Sequence, residues 1–243
     1  MRVLRVLVTR PEEASYRTAK RLETMGHRPI VLPLMRAEHH PDAVLEGLRH
    51  PHSAIAITSA EAARVLQSLG QKNYPYLNVP LFAVGEATAM AARNAGFTAV
   101  EAAEGTASSM IALFGQRLRQ MTAHHPLLYV AGAPRTATFE AGLAELEIPF
   151  LTVEGYAMIP VPVDEAALSA ALQAKPVDAV LLYSPATATR FFELPLTRRS
   201  WNVLQHTRIL CLSENVAHAV PAPLQSVVIV ADRPDEDSLF ALL

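Results

Sequence analysis

The chain has 243 residues, 51% of them apolar and 18% charged, with a formal net charge of −2 and a single cysteine. That length supports one large or two smaller domains with real cores. No apolar run approaches the ~20 residues of a membrane helix, no basic block supplies the field a nucleic-acid binder uses, and Cys211 alone permits neither a disulfide framework nor a CxxC metal site.

The opening MRVLRVLVTRP carries charge among its first residues and lacks a small-residue cleavage site. It therefore reads as a first strand rather than a signal peptide, and the cytoplasm is the expected location. From there, short β-branched runs alternate with helical stretches, the pattern of parallel βαβ units. Predicted strands cover residues 3–8, 29–34, 54–58, 81–84, 99–101, 127–131, 150–153, 179–183, 209–212 and 226–230, which suits two sheets of five. The intervening helices carry apolar pairs at helical spacing, such as Ala87 with Ala91 and Leu143 with Leu146, expected to face the core. Residues 34–39 and 156–163 are extended in character, the second (YAMIPVPV) rich in proline, and both would serve as connectors between domains.

The pattern repeats. VLVTRPEEASYRTAKRLETMGHRPIVLPL (6–34) and LLYVAGAPRTATFEAGLAELEIPFLTVEGY (127–156) share the order apolar strand, Arg-containing turn, amphipathic helix, apolar strand. ITSAEAARVL (57–66) is answered by LYSPATATRF (182–191), and SMIALF (109–114) by SLFALL (238–243), at an offset of about half the chain. Two like α/β domains, with a cleft between them, are the expectation. Periodicity leaves open whether the units form a simple tandem or a discontinuous arrangement in which the first pairs with the last.

The chemistry-bearing residues fall where parallel strands end, which is where open α/β sheets bind ligands. Thr58 and Ser59 precede one helix, and Ser184 with Pro185 precedes another. A hydroxyl cap followed by proline is an ordinary helix start, but such a terminus also offers free N–H groups and positive dipole to an anion. GEAT (85–88, with Thr88), GTASS (105–109) and SENV (213–216) are small turns of the same kind; neither GxGxxG nor GxxxxGK[ST] occurs. Arg10 and Arg135 occupy matching turns after the first strand of each repeat, either to take substrate carboxylates or to pair with Glu12 and Glu140. Tyr156, at a strand end, can donate a proton or anchor the connector by packing. The adjacent pairs His39–His40 and His124–His125 lack metal-site spacing and read as solvated loop histidines.

Together LVTRP, ITSAEAAR, FAVGEATA, AEGTASS, LLYVAGAPR, VEGYAMIPV, LLYSPATATRFF and LCLSENVAHAV resemble the uroporphyrinogen-III synthase family, in order and spacing over essentially the whole chain. The resemblance implies an α/β fold of two similar domains, each a parallel five-stranded sheet flanked by helices, joined by a two-stranded connector. It selects the discontinuous arrangement, with residues 1–36 and 161–243 in one domain and 37–160 in the other. It also implies cofactor-free and metal-free closure of hydroxymethylbilane to uroporphyrinogen III, with loss of water and inversion of ring D. Tyr156 matches the tyrosine proposed to assist hydroxyl loss. Arg10, Ser59, Thr88, Gly132, Arg135 and Ser184 match substrate-contact positions. Where many members carry a Gly-Pro-Thr-Thr turn this chain has Ser213 to Val216, so Asn215 is the expected replacement for a missing threonine hydroxyl. The implied protein is a monomer with hydroxymethylbilane as its substrate, no nucleic acid or membrane as partner, and transient contact with hydroxymethylbilane synthase. The alternatives are an inactive synthase-like paralogue and a two-lobed small-molecule-binding module.

Overall fold

The apolar run at residues 6–8 forms the centre of β1 (Arg5–Val8), and Val6, Leu7 and Val8 are fully buried because helices cover both faces of their sheet. In this computed structural model, which describes residues 2–114, 121–164, 166, 168, 169, 176–199 and 201–243, contacts divide the chain into two compact units. One comprises Met1–Arg36 with Ile159–Leu243, the other Ala37–Met158.

The first unit holds a parallel sheet of β1, β2 (Arg28–Val31), β9 (Ala179–Leu182), β10 (Arg208–Cys211) and β11 (Val228–Val230), in the order β11-β10-β9-β1-β2. Its helices are α1 (Glu12–Thr24), α7 (Pro185–Glu193), the short α8 (Pro195–Arg199), α9 (Trp201–Leu204) and α10 (Glu214–Ala217), and α11 (Glu236–Phe240).

The second sheet, most of it in the second unit, holds β3 (Met35–His39), β4 (Ala54–Ile57), β5 (Leu81–Ala83), β6 (Val100–Ala102), β7 (Leu127–Ala133) and β8 (Phe150–Pro160), in the order β3-β8-β7-β4-β5-β6. Around it lie α2 (Pro41–Arg49), α3 (Ala60–Ser68), α4 (Glu86–Asn94), α5 (Ala107–Leu113) and α6 (Thr138–Glu145). The expectation of five strands is corrected here to six. Residues 35–39 alternate buried and open like a sheet-edge strand and join β8. Flanking bonds run from the Val161 N–H to the Leu34 carbonyl at 2.9 Å and from the His40 N–H to the Gly155 carbonyl at 2.7 Å. Numbers fall on one strand as they rise on the other, so β3 runs antiparallel on an otherwise parallel sheet. β8 likewise runs on past its expected end, through Tyr156 to Pro160.

Strand alternation splits the core of the second unit. Ile55, Ile57, Leu128, Val130 and Tyr156 pack on one face, while Ala54, Ala56, Leu127, Tyr129 and Ala131 pack on the other. Each fully buried Val, Leu or Ile contributes roughly 1.5–3 kcal/mol, so both sides of β4 and β7 hold the strand ends in place. Two predicted core stripes need correction. In α4 the buried residues are Thr88, Ala89 and Ala92, with Ala87 exposed; in α6 Leu143 is buried and Leu146, at the helix end, is 57% exposed.

Candidate active site

A β-bulge between Ala131 and Gly132 shifts the register of β7 against β8 and sets Gly132 opposite Tyr156. The Tyr156 ring then lies across the Gly132 backbone. A Cβ built on Gly132 would stand 2.5 Å from the phenol oxygen and 2.6 Å from a ring carbon, so the glycine is required by this approach. Tyr156 is 7% exposed, and the Ser59 side chain lies close enough to its hydroxyl to draw the phenol pKa down. Burial above all, with the Tyr129 and Glu61 side chains adding to it, raises the phenol pKa above its ordinary value. The group is therefore a neutral acid that holds its proton until something more basic reaches it.

Ser59 follows β4 in extended conformation and caps α3, its Oγ accepting the Glu61 N–H at 3.2 Å. The side chain that starts the helix thus also neighbours the phenol. Glu61 in turn pairs with His39 Nε2 at 3.1 Å and with Arg64. His39 ends β3, so this strand is fastened to the first turn of α3. This corrects the expectation that His39 is a solvated loop residue. His40 reaches the Glu154 carbonyl at 3.3 Å, and His125 is exposed in a short turn with Thr122.

Arg135 braces the same corner. Its guanidinium grips Glu140 with two bonds of 3.2 Å, takes Glu154 at 2.8 Å and donates to the Gly132 carbonyl at 3.3 Å. Arg135 holds the Glu140 carboxyl below its ordinary pKa despite opposing burial, and Thr152 adds a bond of 2.9 Å. The carboxylates raise the Arg135 pKa in return. The cation thus ties β7, β8 and α6 around the tyrosine, and its charge is balanced from within the protein.

In the first unit Arg10 meets Glu236 rather than Glu12, at 2.7 Å, with its guanidinium 4.1 Å above the Tyr183 ring. Glu236 also accepts from Thr18 at 2.6 Å, Tyr183 at 2.7 Å and Arg21 at 2.6 Å. Burial disfavours this carboxylate, but the Thr18 and Tyr183 hydroxyls and the two arginines outweigh it, and its pKa is lowered. Burial raises the Tyr183 pKa, and the Glu236 charge reinforces it. Ser184 caps α7, accepting the Thr187 N–H at 3.2 Å, and Asn215 is exposed in the first turn of α10.

A family model described as uroporphyrinogen-III synthase HemD matches residues 16–241. The chain belongs to the uroporphyrinogen-III synthase family. Among solved structures it is similar to the uroporphyrinogen-III synthetase of Helicobacter pylori, at 16% identity over 99% of this chain and 98% of that one, with a TM-score of 0.67. A mutant uroporphyrinogen III synthase from Thermus thermophilus matches at 19% identity over 99% and 97% of the two chains, with a TM-score of 0.58. At such identities these likenesses establish the fold. No curated protein matches the sequence. The activity is that of the family, a lyase of haem biosynthesis acting as a uroporphyrinogen-III synthase, and the family implies hydroxymethylbilane as substrate.

For a uroporphyrinogen-III synthase, the sequence-predicted residues thus divide. Ser59, Gly132, Arg135 and Tyr156 converge on one corner of the second unit. Thr88 lies in the same unit but is buried in the first turn of α4, 8% exposed. Arg10, Ser184 and Asn215 lie at strand ends of the first unit. Sequence reasoning passed over Tyr129, Glu61 and Glu236, whose side chains complete these clusters. Only a hydroxyl or carboxylate inside an otherwise apolar or capping stretch could have flagged them. Among the described residues no group of three or more His, Cys, Asp or Glu is placed to hold a metal ion, and no helix is long and apolar enough to cross a membrane.

Proposed function

We propose that Tyr156 is the general acid for hydroxyl loss from hydroxymethylbilane. The phenol proton passes to the hydroxyl as the C–O bond breaks, water leaves, and an azafulvene remains on the terminal ring. The substituted α-carbon of ring D attacks it, and the spiro intermediate fragments and recloses at the free α-carbon of ring D. The C–H proton lost at reclosure balances the one given up at the start. What carries this reading is the seat of Tyr156, a ring laid over Gly132 with its hydroxyl beside Ser59 and its proton retained by burial. General acids of this kind are worth roughly 10²–10⁴-fold.

Substrate contacts belong to Ser59, Thr88, Gly132 and Arg135 in the second unit and to Arg10, Ser184 and Asn215 in the first. Arg10 and Arg135 are each balanced by internal carboxylates. The substrate carboxylates therefore gain less from free cations than from backbone N–H groups, such as those opening α4, where Gly85 supplies no side-chain cap. The two domains are residues 1–36 with 161–243 and residues 37–160, with the β3–β8 pair as the connector. The protein works as a cytoplasmic monomer without cofactor, in transient contact with hydroxymethylbilane synthase.

The test is to feed the purified protein hydroxymethylbilane made from porphobilinogen, oxidise the products and separate the uroporphyrin isomers. Predominant isomer III supports the function; isomer I alone, the product of unguided closure, overturns it.

A further inference from the structure

We propose that Tyr129 is a positioning residue for this reaction, acting through Thr58 on the turn that holds Ser59 against Tyr156. The proposal rests on the reading of Tyr156 as the acid. β4 ends at Ile57, on the face of the sheet that holds Tyr156, and Thr58 and Ser59 make the turn into α3, with Ser59 extended at φ −153° and ψ 148°.

Thr58 Oγ1 and the Tyr129 hydroxyl lie 3.0 Å apart, and Ser59, the next residue, neighbours the Tyr156 hydroxyl. The turn is thus pinned by the Tyr129 phenol on β7 and lies beside the Tyr156 phenol on β8. Tyr129 is 3% exposed, and its ring stands edge-on to Phe139 at 4.8 Å, so the hydroxyl has little freedom to move away. Packing would be served equally by phenylalanine. What the hydroxyl adds is the grip on Thr58, and with it the orientation of the next residue along the backbone. Release of that grip leaves Ser59 held only by the Glu61 N–H, with its place beside the phenol no longer fixed.

Tyr129→Phe keeps the ring and removes only the bond. Its kcat for isomer III should fall about tenfold with KM unchanged, the scale expected of a misplacement below 1 Å. The ¹³Cζ resonance of Tyr156, which reports its hydrogen bond, should shift. Thr58→Val removes the same bond from the other side and should reproduce the loss, and the double variant should be no worse than either single one. Wild-type kcat and an unmoved Tyr156 resonance in the single variants, or losses that multiply in the double one, would overturn the proposal and leave Tyr129 a packing residue. Tyr156→Phe in the same assay separates the two layers. Full turnover there overturns the acid role and this proposal with it; loss there beside wild-type Tyr129→Phe overturns this proposal alone.

Discussion

Gly132→Ala puts the Tyr156 seat under direct strain. The new methyl would stand 2.5 Å from the phenol oxygen and 2.6 Å from a ring carbon, where carbon contacts settle at about 3.5–4 Å. Relief requires the ring to withdraw by about 1 Å or β7 to bend away from β8, and both strands are held by Arg135 bonds to the Gly132 carbonyl and Glu154. Overpacking of this kind costs about 1–3 kcal/mol of stability. A displacement of about 1 Å at a reacting group reduces turnover by roughly 10²-fold. Thermal unfolding should therefore show a depressed Tm, and the folded fraction should form isomer III at roughly a hundredth of the wild-type rate. In a Tyr156→Ala background the methyl has room, so the added stability loss should shrink towards zero. A Gly132→Ala protein with wild-type Tm and wild-type turnover would refute the idea that this glycine exists to seat the tyrosine.

Three further outcomes follow from the same structure. Glu236→Gln leaves Arg10 and Arg21 without their shared carboxylate, and the variant should lose about 1–3 kcal/mol in denaturant unfolding at neutral pH. Because the Glu236 pKa is lowered by folding, its stabilisation is present above the ordinary carboxylate value and lost as the pH falls through the lowered one; the gap between variant and wild type should narrow on acidification, and a gap independent of pH would contradict the network. The phenol pKa of Tyr156 is raised, so proton donation should persist on the alkaline side up to and beyond the ordinary tyrosine value, and a rate that falls already near neutral pH with intact fold would assign the acid elsewhere. Cys211 is fully buried at the end of β10, with its thiol pushed up to about 12, so a thiol reagent such as DTNB should label it only after unfolding; prompt labelling of native protein would contradict the core assignment.

Much of this was legible in the sequence because it depends on local pattern. All ten predicted strands are present, nine of them to within a few residues and β8 running well past its expected end, since strands of a parallel sheet are short, largely apolar runs. Ser59 and Ser184 read as caps and are caps. What escaped depends on partners distant in the chain. β3 was legible as an extended segment at residues 34–39, but with Arg36, Glu38 and His39 it gave no sign of its place as a sixth strand of the second sheet, which it takes by joining β8. In α4 Ala91 packs against the core as expected, but Thr88 takes the inward place in the first turn and Ala87 is exposed, and a polar residue at a core position is invisible to an apolar pattern. Arg10 looked available for ligand, but its carboxylate lies 226 residues away at Glu236, beyond any local rule. Gly132 illustrates the limit best. A glycine at the end of a strand suggests close approach by something, and only the bulge in β7 shows that the something is Tyr156.

The most direct test of the central claim compares Tyr156→Phe with wild type in single-turnover formation of isomer III from hydroxymethylbilane. Phenylalanine keeps the ring over Gly132 and removes only the proton donor, so the expected result is a loss of roughly 10²-fold or more in the chemical step with substrate affinity and Tm little changed. An undiminished rate would contradict it, leaving Tyr156 as a packing residue and the leaving hydroxyl with another source of its proton.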